Sequence, residues 1–163
     1  MRLLPPFYGA AGMAFLLDQG SKWWVREHFA LHETHPILPG VFHLTYVHNR
    51  GAAFGFLAHS PWSNWLFVAL ALAAIGLILR HRRAILRHPP LFQGGVGLFL
   101  GGALGNLVDR LRWQYVVDFL DLRVWPVFNV ADMAVSIGTA LILLHLWRTE
   151  RSSPSRAGRK RKV

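Results

Sequence analysis

Apolar residues are concentrated in four long stretches that are separated by polar segments. These stretches are Leu3–Val25, Trp62–Leu79, Leu91–Val108 and Val127–Trp147. Roughly 20 apolar residues are needed to span the hydrocarbon core of a bilayer. The second and third stretches carry no charge, the fourth carries only Asp132, and the first is interrupted by Asp18 and Lys22. The pattern therefore predicts a mainly α membrane protein with four transmembrane helices.

The first stretch also has the general look of a cleavable signal peptide, because Arg2 precedes an apolar run. However, the pattern continues through Lys22 to Trp23 and Trp24 without a small-x-small cleavage site. We expect this segment to be retained as the first helix.

The basic residues predict how the helices are oriented. Twelve of the 18 lie at Arg2, in the 80–90 loop, or from Arg148 onward. Lys and Arg are enriched in cytoplasmic loops, so both termini and this loop are predicted to be cytoplasmic. The segments that then face outward are 27–61 and 110–126.

The net charge of +10 invites a nucleic-acid interpretation, and the C-terminal RSSPSRAGRKRKV has the composition of such a patch. A basic segment next to a membrane helix also binds anionic lipid. We therefore expect residues 149–163 to form a disordered cytoplasmic tail, with no nucleic-acid partner. Residues 1–148 are expected to form a single integral-membrane domain.

The long outward segment contains its own secondary-structure signals. Pro36, Pro39 and Gly40 are turn residues, and the β-prone run Val41–Val47 follows them. This predicts a small extracytoplasmic β-cradle between helices one and two. Three apolar residues after it are expected to dip into the membrane interface: Phe54, Phe56 and Leu57.

Ionisable residues at membrane depth are costly, and their default interpretation is functional. Asp18 and Lys22 are four residues apart, so they share a helix face and can pair. Asn106 and Arg110 have the same spacing at the end of the third helix, with Asp109 beside them. We expect a polar network at the outer end of this helix.

A carboxylate at the position of Asp132 would be costly without a partner, because it lies within a predicted membrane helix. If the fourth helix begins near Val127, Asp132 lies about 7 Å below the outer boundary. Asn129 shares its helix face, and Asp118 precedes it in the outer loop, which can fold back towards it. Two carboxylates in a low-dielectric site share one proton. Aspartyl peptide hydrolysis requires that arrangement, because one carboxylate activates water while the neutral acid polarises the carbonyl.

Spacing alone leaves other roles open. Buried aspartates also serve as proton relays, so Asp18, Lys22 and Asp132 could belong to a transport or channel subunit. A structural membrane adaptor is a third possibility. Asp121 has Arg123 two residues on and is expected to lie in a solvated loop.

Two further chemistries are weakly signalled. Ser21 and Lys22 suggest a Ser–Lys hydrolase, but adjacent helical residues do not face each other. The segment EHFALHETH falls one residue short of the zinc motif H-E-x-x-H, and Pro36 follows at once. A solvated outer loop explains its residues better: His28, His32, Glu33 and His35. The chain has no cysteine, which excludes thiolate metal sites. No metal or other cofactor is expected.

Five motifs together resemble the lipoprotein signal peptidase family, signal peptidase II. They are DQGSK (18–22), NRGAAFGF (49–56), GGALGNLVDR (101–110), VVDF (116–119) and FNVAD (128–132). The resemblance covers the chain from the first helix to the fourth.

The resemblance implies a four-helix aspartyl endopeptidase of the bacterial inner membrane, with the active site near the outer face. Its substrates would be prolipoproteins whose cysteine carries diacylglycerol, cut on the amino side of that cysteine. The catalytic pair would be Asp118 and Asp132. The positions that match supporting or substrate-binding residues are Asp18, Lys22, Asn49, Gly51, Asn106, Arg110 and Asn129. Membrane phospholipids would surround the enzyme, and an oligomer is not required.

Overall fold

The structure is a computed structural model that describes residues 4–51 and 62–152. Within these ranges the chain forms four helices and three strands. They are α1 (Pro6–His28), β1 (Thr34–Leu38), β2 (Phe42–Asn49), α2 (Ser63–Ile85), α3 (Pro90–Trp113), β3 (Val116–Asp121) and α4 (Val130–Ser152). The predicted fold class, four helices with a small sheet, is confirmed.

The helices have the length and surface of membrane-spanning segments. Among the described residues, α2, α3 and α4 are each long and apolar enough to cross a bilayer. Helix α1 has 23 residues but carries Asp18 and Lys22, and both side chains point into the bundle. Large apolar side chains such as Leu16 and Leu70 are exposed instead. That distribution suits a protein whose outer surface faces lipid.

Helix α3 is the centre of the bundle, since it packs closely on both α1 and α4. Glycines make this close approach possible. A Cβ on Gly101 would collide with the Ala11 carbonyl oxygen of α1, and one on Gly102 would collide with the Ala131 carbonyl oxygen of α4. The backbones of α1 and α4 are therefore in near contact with the backbone of α3.

The three strands form one antiparallel sheet in the order β1-β2-β3 at one end of the bundle. Strand β2 matches the predicted β-prone run and is confirmed. Strand β3 corrects the prediction that Asp118 lies in a loop, because Asp118 pairs with Val47 of β2. Val117 and Phe119 anchor β3 against the end of α1 at Val25.

Helix α4 begins at Val130 and not near Val127 as predicted. The preceding residues are held in extended form, because Phe128 exchanges backbone hydrogen bonds with Leu120 of β3. Asp132 therefore lies in the first helical turn, closer to the end of the helix than the sequence suggested.

The prediction that Asp121 is solvated is wrong. Only 5% of its surface is exposed. Its carboxylate accepts hydrogen bonds from the Thr45 hydroxyl (2.8 Å), the Arg123 backbone N–H (2.8 Å) and the Arg123 guanidinium (3.0 Å). Burial opposes ionisation, but these donors lower the pKa of Asp121 below its ordinary value. Asp121 closes the turn after β3.

Some predictions concern residues outside the described ranges. Phe54, Phe56 and Leu57 are among them, as are Arg2 and residues 153–163 of the predicted tail. Helix α4 continues to Ser152. The division into a 1–148 domain and a 149–163 tail stays a prediction.

Candidate active site

A cavity of about 330 Å³ opens where β2, β3, α3 and the start of α4 meet. Asp118 and Asp132 both line it. The other predicted site residues in its wall are Asn49, Gly51, Asn106 and Arg110. Chain segments separated by more than 80 residues thus contribute to one polar chamber, and apolar side chains such as Val135 complete it.

Asp118 projects from β3 and is 1% exposed. Its two oxygens accept hydrogen bonds from the Asn49 amide (2.8 Å) and the Asn129 amide (2.6 Å). Burial is the largest influence on this group, and the negative charge of Asp132 is the next. Together they raise the pKa of Asp118 to about 7, although the two amide donors oppose the shift. Near neutral pH this carboxyl is poised to carry a proton.

Asp132 is held at the start of α4 by a reciprocal cap. Its backbone N–H donates to the Asn129 side-chain oxygen (2.9 Å), and its carboxylate accepts from the Asn129 backbone N–H (3.2 Å). The Asn106 amide donates to its other oxygen (2.8 Å). These donors fix the position of the Asp132 carboxylate in the first turn of α4.

Three asparagine amides face the two carboxylates, and the orientation of each is fixed from its other side. The Asn49 side-chain oxygen accepts from the Gly51 N–H (2.9 Å), and the Asn106 oxygen accepts from the Lys22 ammonium (2.8 Å). The Asn129 oxygen is occupied by the helix cap described above. Each amide therefore presents its NH₂ group to an aspartate.

Behind the cavity lies a buried ion cluster. Lys22 pairs with Asp18 (2.9 Å) and with Asp109 (3.0 Å). Asp18 also accepts the Ala131 backbone N–H (2.9 Å), and Asp109 accepts the Val117 backbone N–H (3.1 Å). Ala131 and Val117 are the residues immediately before the two cavity aspartates. One lysine and its two carboxylates thus tie both aspartate-bearing segments to α1 and α3.

Arg110 points into the cavity without making an ion pair in the described part of the chain. Its guanidinium donates to the Gly51 carbonyl oxygen (3.3 Å) and lies 5.0 Å from the centre of the Phe67 ring. It attracts both cavity aspartates electrostatically. The remaining guanidinium donors can bind an oxygen atom of a ligand.

The residues considered for other chemistries lie elsewhere. The Ser21 hydroxyl donates to the Asp18 carbonyl oxygen (2.9 Å), while Lys22 is engaged in the ion cluster. His28 stacks on Trp24, and His35 contacts Glu33 (2.7 Å). In the part of the chain that the structure describes, no group of three His, Asp or Glu side chains could hold a metal ion.

Sequence reasoning missed two members of the buried network. Asp109 was considered only as a neighbour of Arg110, whereas it faces Lys22. Its spacing of three from Asn106 was the available signal, since residues three apart share a helix face. Gln19 donates to Asp18 (3.1 Å) and to Asp109 (3.1 Å), and its place in the DQGSK motif was the only signal for it.

Comparison with known proteins identifies the class of enzyme. The profile of the family described as Signal peptidase (SPase) II matches residues 10–148. The chain belongs to the signal peptidase II family. It is therefore an aspartic membrane protease that acts on signal peptides. The hypotheses of a transport subunit and of a structural adaptor are wrong.

Curated relatives and solved structures agree with this family. The chain is 48% identical over 139 residues to the lipoprotein signal peptidase of Halothermothrix orenii, covering 85% of this chain and 93% of that one. It is 45% identical over 158 residues to the lipoprotein signal peptidase of Nitratidesulfovibrio vulgaris, covering 93% and 94%. The fold also resembles a bacterial membrane enzyme solved in meso at 2.3 Å resolution, with a TM-score of 0.78, 24% identity, and coverage of 96% and 93%.

Proposed function

We propose that this signal peptidase cleaves prolipoproteins whose cysteine carries diacylglycerol, on the amino side of that cysteine, with Asp118 and Asp132 as the catalytic pair. The observation that carries the proposal is that both carboxylates line one cavity. Each of them is held by side-chain amides whose orientation is fixed.

The two aspartates have different roles in the proposed reaction. Asp132, which receives two hydrogen bonds at the start of α4, is the base that takes a proton from water. Asp118, whose pKa is raised to about 7, is the neutral acid that protonates the scissile carbonyl oxygen. Hydroxide from that water forms the new bond to carbon. The C–N bond then breaks: the leaving amine takes the proton held by Asp132, and one hydroxyl of the tetrahedral intermediate returns its proton to Asp118 as the carboxyl group of the product forms.

The supporting residues act by position. The carboxylates are held in position by hydrogen bonds from the amides of Asn49, Asn106 and Asn129. The segments that carry the two aspartates are held in place by Asp18 and Lys22. In this proposal Arg110 binds a carbonyl oxygen of the substrate backbone. The Gly51 carbonyl oxygen in turn holds Arg110.

The apolar part of the substrate has a matching surface beside the cavity. A second cavity of about 480 Å³ adjoins Asp132 and is almost entirely apolar. Leu122, Met133 and Ile137 line it, and all three are exposed on the face of the protein that we place in lipid. We propose that lipid-bearing or signal-peptide segments enter here from the bilayer.

The proposed setting is the bacterial inner membrane, with both termini in the cytoplasm and the dyad near the outer face. The basic residues of the 80–90 loop support this orientation. Membrane phospholipids surround the helices. We propose that the enzyme does not require an oligomer, because described residues of one chain bring both aspartates into one cavity.

The experiment that tests substrate class compares two forms of one prolipoprotein, with and without the diacylglyceryl group, using the purified enzyme in detergent. We expect cleavage only of the lipidated form, with the lipidated cysteine as the new N-terminus by mass spectrometry. In H₂¹⁸O the released signal peptide should gain one ¹⁸O at its C-terminus. Equal cleavage of the unlipidated form would contradict the proposed substrate class.

A further inference from the structure

A separate polar cavity of about 170 Å³ lies between the ends of α1 and α3 that adjoin the sheet. It shares no lining residue with the active-site cavity. Its size exceeds ten times the ~10–15 Å³ that one water needs. The side chains that form its mouth are Trp23, Arg26, Arg112 and Trp113.

The charge at the mouth of this cavity is positive. Lys22 and Asp109 form its inner wall at 3.0 Å from each other, and Lys22 also pairs with Asp18 at 2.9 Å. Arg26 lies over the Trp113 ring, 3.9 Å from its centre. Arg112 is exposed and has no ion pair or hydrogen bond among the described residues. Two guanidinium groups therefore face the opening without a carboxylate of their own.

Lys and Arg are enriched on the cytoplasmic side of membrane proteins, so two arginines without carboxylate partners on the outer side are unusual. The cavity lies at the end of the bundle that carries the sheet, which the charge distribution orients outward. Three other basic residues at this end have partners within the fold: Lys22 in the ion cluster, Arg110 on Gly51 and Arg123 on Asp121. Arg112 has none, and the peptidase chemistry uses neither Arg26 nor Arg112.

The two tryptophans at the mouth indicate the level of the membrane at which the cavity lies. Trp23 is 64% exposed and lies in the last two turns of α1, and Trp113 is 41% exposed and is the last residue of α3. Exposed tryptophans at the ends of membrane helices lie at the level of the lipid headgroups. A lipid phosphate in the outer leaflet would thus meet the arginines at the mouth.

We propose that this cavity binds the phosphate of an anionic phospholipid headgroup, such as that of phosphatidylglycerol. Guanidinium groups bind phosphate through paired hydrogen bonds, and the flanking indole rings accommodate the upper acyl chains. The occupant is a bulk lipid and not the substrate, because a diacylglyceryl thioether carries no phosphate. The site goes beyond the peptidase activity and anchors the ends of α1 and α3 at a fixed depth.

Native mass spectrometry of the full-length protein in detergent can test the site by titration with short-chain phosphatidylglycerol. We expect one tight adduct, and the double variant Arg26→Gln/Arg112→Gln should raise its dissociation constant at least tenfold. The matched control Arg83→Gln/Arg87→Gln removes the same charge from the loop at the other end of the bundle. It should leave that constant within about twofold. Cleavage activity of the test variant shows that it is folded.

Three outcomes would overturn the proposal. If the control variant lost as much affinity for phosphatidylglycerol as the test variant, the lipid would bind the cytoplasmic loop. If the test variant lost no affinity, the lipid would bind elsewhere. Equal competition by inorganic phosphate at the same concentration would show a simple anion site without lipid recognition. Short-chain phosphatidylcholine, which has no net charge, should bind at least tenfold more weakly than phosphatidylglycerol.

Discussion

At Asp118, burial and the charge of Asp132 act in the same direction, and the raised pKa of about 7 follows from both. If the dyad works with Asp118 protonated, cleavage must fall as the pH rises through this value. We expect kcat/KM to fall about tenfold per pH unit above an apparent pKa near 7. The apparent value belongs to the coupled pair. A profile that stays flat to pH 9 would contradict the assignment of Asp118 as the acid.

The same shift has a consequence for stability. Because the pKa of Asp118 is higher in the folded protein than the ordinary value of 3.8, the folded state binds more protons between pH 4 and 7. The free energy of unfolding should therefore fall as the pH rises through this window. Asp118→Asn should remove that part of the slope when unfolding is measured at several pH values in one detergent.

Lys22 is the residue on which the buried ion cluster depends. Lys22→Met would leave Asp18 and Asp109 buried without a counter-ion and would remove the hydrogen bond from Lys22 to the Asn106 side-chain oxygen. Breaking a buried ion pair costs about 3–5 kcal/mol, so we expect a loss of that order in the free energy of unfolding. Cleavage should fall as well, because both aspartate-bearing segments lose their anchor.

A matched control for this variant is Arg83→Met, which removes an exposed charge near the end of α2. Exposed substitutions usually change stability by less than about 0.5 kcal/mol. If denaturation in detergent showed similar losses for both variants, the cluster would not have the role assigned to it.

At the scale of elements, the contact between α3 and α4 sets where Asp132 lies. Gly102→Ala would drive a methyl group into the Ala131 carbonyl oxygen and push the start of α4 away. We expect a loss of about 1–3 kcal/mol in stability and at least a tenfold loss of cleavage. Gly94→Ala is the control, because no atom lies within 4 Å of its added Cβ. It should be neutral or slightly stabilising.

The elements differed in how well the sequence predicted them. Helices α2, α3 and α4 were predictable because each comes from a long apolar run with at most one charged residue, and a run of that length is typical of a membrane-spanning helix. Strand β3 was not, since VVDFLD is buried on both faces and has no alternation of polar and apolar residues. The start of α4 was misplaced by three residues because extended pairing with β3 holds Phe128 outside the helix.

The site was predictable only in part, for a related reason. The Asp18–Lys22 pair follows from helical spacing, and the resemblance to the family identified the other predicted site residues. Contacts between distant segments carry no local signal, so the link from Lys22 to Asp109 and the cap of α4 by Asp18 required the structure. These contacts explain how residues far apart in the chain form one cavity.

At the scale of the whole molecule, the orientation in the membrane can be tested directly. The chain has no cysteine, so a single introduced thiol is an unambiguous reporter. Val124 is 91% exposed in the turn after β3, and Arg83 is exposed near the end of α2. A membrane-impermeant maleimide should label Val124→Cys in spheroplasts and should label Arg83→Cys only after lysis. The reverse pattern would contradict the proposed topology.

The central claim is that Asp118 and Asp132 together perform the hydrolysis. Cleavage of a diacylglyceryl-modified prolipoprotein by purified Asp118→Asn and Asp132→Asn variants tests it most directly. Asp121→Asn is the control, because it changes a buried carboxylate on the same strand that does not line the cavity. We predict a loss of at least about a thousandfold for either dyad variant, with the control within about threefold of the unmodified enzyme. Near-normal turnover by either folded dyad variant would contradict the account.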